Sequence, residues 1–189
     1  MYKLDNLRKS IRKGLVYRRE DLAKSSKSID RDLAYLVQEG SLKKLAQGLY
    51  YAPKKTAFGD SVPEEKDVIK KYLKGDDFLI TSPNYYNSLG LGTTQLYNSK
   101  RVYNHKKHED VKLGNKVYQF RRKSKFPKQL SSEYLVIDLL NNIKSLEEDE
   151  QTLVDNLKSK IQQLNKELLK KNAYRYGSIK AKKIINELE

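Results

Sequence analysis

Between residues 29 and 59 the sequence passes from an amphipathic helix straight into a small basic hairpin, and no other stretch constrains the fold as much. It reads IDRDLAYLVQEG and then SLKKLAQGLYYAPKKTAFG. Ile29, Leu33, Leu36 and Val37 fall at i, i+4, i+7 and i+8, a single apolar stripe along a helix. Advancing roughly 100° per residue puts Lys27, Ser28, Arg31, Tyr35 and Gln38 on the opposite face. Residues 42–45 and 49–52 then read as strands joined by Ala46-Gln47-Gly48, a three-residue loop whose last position suits glycine at positive φ.

The flanks fit one small domain. Leu4, Leu7 and Ile11 recur at helical spacing up to Gly14, and Leu15-Val16-Tyr17 is a short extended piece. Residues 19–24 make a brief second helix, and Ser25-Ser26 offers a turn and a capping hydroxyl to the third. Three helices and a hairpin in this order predict a winged helix-turn-helix over residues 1–59. The expected fold class is α+β, with this head followed by a mixed α/β domain with a helical C-terminus over residues 60–189.

Within that second part, Ser61-Val62-Pro63-Glu64 fits a capping box opening a helix through Leu73. Phe78-Leu79-Ile80 reads as a buried strand, and Ser82-Pro83 starts a short helix ended by Gly90. Residues 101–104, 111–113 and 116–121 alternate as strands, the last two joined by Gly114-Asn115, and residues 133–143 form an apolar helix. Leu153, Leu157, Ile161, Leu164 and Leu168 run at spacings of four and three. That run is compatible with a coiled-coil seam and better with helices packed on their own domain.

Charge narrows the function classes. Residues 1–59 carry 14 Lys and Arg against 6 Asp and Glu, residues 60–130 carry 15 against 8, and residues 131–189 carry 10 against 10. The excess therefore lies in the first two-thirds and favours an anionic partner. The absence of cysteine excludes disulfides and thiolate metal sites. No apolar run approaches the roughly 20 residues of a membrane span, and MYKLDNLRKSIRKG lacks a signal-peptide core, so a cytoplasmic protein without membrane partners is expected.

The candidate DNA contacts are Lys27, Ser28, Arg31 and Tyr35 on the third helix and Lys43, Lys44, Lys54 and Lys55 on the wing. Arginine can donate a bidentate pair to guanine, serine can bond a base edge or a phosphate, and wing lysines suit phosphates. Against this, Asp30 and Asp32 would repel phosphate, and lysines also protect strand edges. Arg121, Arg122 and Lys123 form a second basic patch. Tyr97, Tyr103 and Tyr118 could stack single strands there, although tyrosine also fills half-buried strand positions. Catalytic patterns are missing: Gly90-Leu91-Gly92 lacks the rest of a dinucleotide loop, and no phosphate loop or nucleophile elbow occurs. His105 and His108 in HKKHED read as solvated rather than metal-binding. No catalytic residue, metal or cofactor is expected.

LVQEGSLKKLAQGLYYAPKKTAFG resembles the helix and wing of AbiE-type antitoxins (the AbiEi family), the antitoxin half of type IV toxin–antitoxin pairs. The pattern is carried by Leu36, Gly40, Leu42, Leu45, Gly48, Leu49 and Tyr50. FLITSPNYYNSLGLGTTQ, EYLVIDLLNNI and NAYRYGSIKAKKIINEL are similar to later parts of the family, so the likeness covers most of residues 14–189. One departure is a wing with Lys43 and Lys44 but no arginine, which leaves open the residue that reads bases. The resemblance implies a two-domain antitoxin and autorepressor of a phage-defence operon. Such a protein binds double-stranded promoter repeats and counteracts a cognate nucleotidyltransferase toxin, with or without a stable complex. Repeats invite two copies, and a monomer binding them cooperatively is compatible with a sequence lacking a clear dimer seam. Two other classes stay open: a protein-interaction module that neutralises a toxin without DNA, and a basic RNA-binding factor.

Overall fold

Helix α3 (Ile29–Gln38) organises the first part of the chain because its apolar stripe has partners on every side. In the computed structural model, which describes residues 2–91 and 95–188, Ile29, Leu33 and Leu36 are buried and Val37 packs at their edge. They meet Leu7 of α1 (Tyr2–Ser10), Leu22 of α2 (Arg19–Ala23), and Leu42, Tyr50 and Ala52 downstream. Each such side chain contributes about 1.5–3 kcal/mol on burial. The helix stops where Gly40 takes a φ of +80°, and Leu42 N–H then bonds the Leu36 carbonyl at 3.0 Å.

Strand β1 (Val16–Arg18), β2 (Lys43–Ala46) and β3 (Leu49–Tyr51) form an antiparallel sheet in the order β1-β3-β2. Ala46 pairs with Leu49, and an irregularity between Lys44 and Ala46 absorbs the extra residue. The connection is therefore the two residues Gln47 and Gly48 rather than the expected three, with Gly48 at φ +69°. A second hairpin that the sequence did not announce follows, β4 (Lys55–Thr56) with β5 (Gly59–Asp60). The Thr56 hydroxyl holds its turn, donating to the Gly59 carbonyl at 2.8 Å and accepting from Phe58 N–H at 3.2 Å.

Helix α4 (Glu65–Leu73) buries Val68, Ile69 and Leu73. The expected capping box does not form, because Ser61 is used elsewhere: its Oγ accepts from Lys54 N–H at 2.8 Å and lies 2.6 Å from the Tyr51 hydroxyl. Arg18 donates to the Lys71 carbonyl at 2.8 Å, and Lys71 and Lys74 bridge Asp21 and Glu20 at 2.7 and 3.0 Å. Consequently α4 belongs to the first compact unit, which comprises the residues through Asp76 together with Val111–Lys116, and the unit does not end at residue 59.

The second unit holds the remaining residues. Strands β6 (Phe78–Thr81), β7 (Ser99–Asn104) and β9 (Lys116–Arg122) pair in the order β6-β7-β9, with β7 and β9 parallel and Val102 beside Phe120. Strand β8 (Glu109–Leu113) precedes β9 in the chain, and from Val111 on its residues count with the first unit. A 3-10 turn, Pro83–Leu89, ends at Gly90 with φ +65°. Gly92 lies outside the described residues. Helix α5 (Ser132–Asn142) is buried from Tyr134 to Leu140 and is the centre of this unit's core. Around it pack α6 (Glu150–Lys160), α7 (Lys166–Tyr176) and α8 (Ile179–Glu187). Ser131, Asp149, Asn165 and Ser178 each cap a helix by accepting a backbone N–H three residues on.

The Leu/Ile run at 153–168 is two helices, broken by a 3-10 turn at Ile161–Gln163. Leu153, Leu157 and Ile161 lie in the unit's own core while Leu168 is exposed. The chain is thus α+β with a helical C-terminus, and among the described residues no helix is long and apolar enough to cross a membrane.

Candidate nucleic-acid interface

The outer face of α3 carries the side chains that its periodicity predicts. Lys27, Ser28 and Gln38 are exposed, Arg31 leaves 82 % of its side chain open, and Tyr35 is 49 % exposed. The two acids that argued against an anionic partner both have partners within the unit, although Asp30 keeps 74 % of its side chain exposed. Asp30 receives a bidentate pair from Arg19 at 2.6 Å on both arms, which holds its carboxyl below the usual range and raises the arginine. Asp32 is buried and accepts the Ser26 hydroxyl at 2.5 Å, with Arg31 Nε 3.6 Å from its other oxygen. Ser26 also accepts Ser28 N–H at 3.0 Å, so the serine expected to cap α3 instead braces the turn before it. At the far end, Arg8 bonds Glu39 and stacks its guanidinium 5.8 Å from the Tyr35 ring centre.

Lys43, Lys44, Lys54 and Lys55 are all exposed, but they are not equivalent. Lys43 and Lys55 share Asp60, at 3.0 and 2.7 Å, and together depress its carboxyl, Lys55 contributing most. Lys54 runs alongside Gly14, where a Cβ would meet the lysine stem. Phe58 stands fully exposed at the tip of the β4–β5 hairpin. Of the residues singled out from sequence, the first unit therefore brings together Lys27, Ser28, Arg31 and Tyr35 on one helix face and the four lysines on two hairpins.

The second basic patch is built differently. Arg121 pairs with Asp110 at 2.5 Å and Arg122 is exposed. Lys123 turns inward, its ammonium 3.6 Å from the Tyr103 ring centre and 3.4 Å from Asp138. Burial pushes the Lys123 ammonium below the ordinary lysine range. Asp138, fully buried on α5, also accepts the hydroxyls of Tyr86 and Tyr103 at 2.7 and 2.5 Å and Asn142 Nδ2 at 3.2 Å. Sequence reasoning passed over this carboxylate, whose signal was a lone acid inside the apolar run YLVIDLL. Tyr103 and Tyr118 are buried and unavailable for stacking, whereas Tyr97 is half-exposed. His105 stacks on Phe126 at 4.7 Å, meets the Lys123 carbonyl at 2.8 Å and faces Asp77 at 3.2 Å. No group of three metal-ligating side chains occurs among the described residues.

Comparison with known proteins gives three findings. The family model described as "Family of unknown function (DUF6088)" matches residues 3–174. The crystal structure of the RV2827C protein from Mycobacterium tuberculosis is similar with a TM-score of 0.57 over 98 % of this chain and 74 % of that one, at 13 % identity, a likeness of fold. No curated protein matches.

Proposed function

Since that family match spans most of the chain, the protein belongs to this family, and we propose that this member is a DNA-binding antitoxin and autorepressor, cytoplasmic and without enzymatic activity. The order α1-β1-α2-α3-β2-β3 is read as a winged helix-turn-helix, with α3 as recognition helix and the β2–β3 hairpin as wing. The observation that carries the DNA reading is the fate of the two α3 acids. With Asp30 bridged to Arg19 and Asp32 buried on Ser26, the outward face offers Lys27, Ser28, Arg31 and Tyr35 to an anionic surface.

In this reading Arg31 and Ser28 meet base edges in the major groove, and the lysines of the two hairpins hold phosphates. Phe58, an exposed ring beside Lys55, packs against sugar or a base step. The antitoxin half of the proposal rests on the sequence likeness to AbiE-type antitoxins, which also supplies the promoter repeats and the nucleotidyltransferase toxin as partners.

Mobility shift of the full chain on its upstream intergenic DNA tests the proposal. Tight binding that Lys27/Arg31/Lys43/Lys44→Ala abolishes is expected, and no binding at low salt overturns it. A second reading, toxin neutralisation by protein contact without DNA, is favoured by Tyr174 and Ile179, which stand exposed on the C-terminal helices. If that quadruple variant still rescues cells from the neighbouring toxin while repression is lost, neutralisation is independent of DNA binding.

A further inference from the structure

A cleft of about 440 Å³ opens on the second unit between the β7–β9 face and the end of α5, and basic and amide side chains line much of it. Parallel pairing sets Arg101 beside Gln119 and Tyr103 beside Arg121, so these four side chains share one face of the sheet. Lys123 follows on the same face by alternation, and Asn142 and Tyr97 complete the lining.

Arg101 is the unusual member. It is only 9 % exposed and lies in the middle of a strand; the Tyr103 hydroxyl accepts one of its hydrogen bonds and the Asp138 carboxylate stabilises its charge, while its Nη1 has no hydrogen-bond partner. Charge within the cleft does not balance. Asp138, the buried carboxylate behind it, is already engaged by Tyr86, Tyr103, Asn142 and Lys123. Arg121 is matched by Asp110, and Arg122 is exposed at the mouth. Tyr103 and Asp138 hold the guanidinium in its charged form, and the open Nη1 donor is left for an oxygen of a bound anion.

We propose that this cleft is a nucleotide site, with Arg101 and Lys123 holding the phosphate group and Tyr97 facing the base. The guanidinium fork matches phosphate geometry, whereas the ammonium of Lys123 acts as a point charge beside it. The volume lies in the range of small-molecule sites, about 300–1,000 Å³. Gln119 and Asn142 supply the amide groups that such a site uses to orient a polar ligand. The site lies wholly within the second unit, so the inference goes beyond the DNA reading and stands or falls separately from it.

Isothermal titration of the full chain with AMP, GMP, CMP and UMP, and in parallel with the unphosphorylated nucleosides, inorganic phosphate and a 5′-phosphorylated oligonucleotide, tests it. One-to-one binding of at least one mononucleotide is expected, with the nucleosides failing to bind and inorganic phosphate binding at least tenfold more weakly. Arg101→Gln should weaken the mononucleotide at least tenfold. Because a buried arginine can matter for folding, Arg122→Glu at the exposed mouth serves as the second variant and should also weaken binding about tenfold through repulsion. The inference is overturned if no mononucleotide binds, or if binding survives both substitutions. It is equally overturned if binding disappears with Lys43/Lys44→Ala in the first unit, or if only the oligonucleotide binds.

Discussion

Asp60 offers a direct test of whether the two hairpins meet DNA. Its carboxylate lies 3.0 Å from Lys43 and 2.7 Å from Lys55, so the trio presents one net positive charge instead of two. With Lys27, Arg31, Lys44 and Lys54, the wild-type surface neutralises about five phosphates, which gives a slope of log affinity against log salt of about −4.5. Asp60→Asn frees both lysines, raises the count to about six and steepens the slope to about −5.4. Over a fourfold rise in salt the wild type should then lose about 500-fold in affinity and the variant about 1,800-fold. At the low-salt end, removal of a negative charge a few ångströms from the backbone should tighten binding about three- to fivefold once screening is included. The β4–β5 pairing is made by backbone groups, so the hairpin itself should persist. Fluorescence anisotropy of a labelled operator fragment across a salt series reads both quantities. An unchanged slope with unchanged affinity would refute the placement of these lysines on DNA. Weaker binding would refute the idea that Asp60 restrains them.

Arg31→Ala should relax sequence preference by about 10- to 100-fold at one base position, measured by competition between operator variants. By contrast, Lys44→Ala should weaken all sequences alike and make the salt slope shallower by about 0.9. In the second unit, Asp138→Ala strands the hydroxyls of Tyr86 and Tyr103 and the Lys123 ammonium, and should cost about 3–5 kcal/mol in denaturant unfolding. Burial above all, and then Asp138, raises the phenols of Tyr86, Tyr103 and Tyr134, so the folded state keeps protons that unfolded tyrosines lose near pH ~10. Their contribution is complete below about pH 10 and is lost above it, with a slope approaching about 4 kcal/mol per pH unit for three protons. Lys123, lowered by burial, binds one proton fewer when folded and offsets one of the three up to about pH 10.4. Unfolding at a series of alkaline pH values reads the net slope, and a flat profile would show that the three phenols are not held.

What the sequence made legible was whatever depends on local spacing. The Ile29, Leu33 and Leu36 stripe and the glycine turns at Gly48 and Gly114 follow from periodicity or from positive φ, and the strand at Phe78–Thr81 follows from its apolar run, although Phe78 and Ile80 are only half-buried. The losses came where tertiary partners competed for a residue. Ser61 looked like a cap and became the anchor of Tyr51 and Lys54, a choice that depends on a hairpin whose strands are two residues long. A spacing of four and three is the same for one long helix as for two that pack together, and only the cap at Asn165 marks the second start. Arg101 sits in an alternating strand where a polar residue reads as solvent-facing. It is the cover above that face that hides it, and α5 announces that cover in sequence only through its apolar run.

The positive excess of residues 60–130 therefore has an address of its own. Lys71 and Lys74 of that stretch are spent on Asp21 and Glu20, and Lys70 on Asp76. Arg101 and Lys123 are turned into the second unit's cleft. A net charge of +15 spread as one footprint would predict a salt slope far steeper than about −5. With Lys70, Lys71 and Lys74 in internal pairs and Arg101 and Lys123 in the cleft, the slope should instead be set by the exposed cations that the DNA reading places on α3 and the two hairpins. Changing Arg101 or Lys123 should leave it where it is, whereas each hairpin lysine removed should shift it by about one phosphate. The same overall charge, read as composition, points to a single anionic partner. Read through its ion pairs and the open Nη1 donor of Arg101, it fits the two anionic ligands proposed above, one per unit.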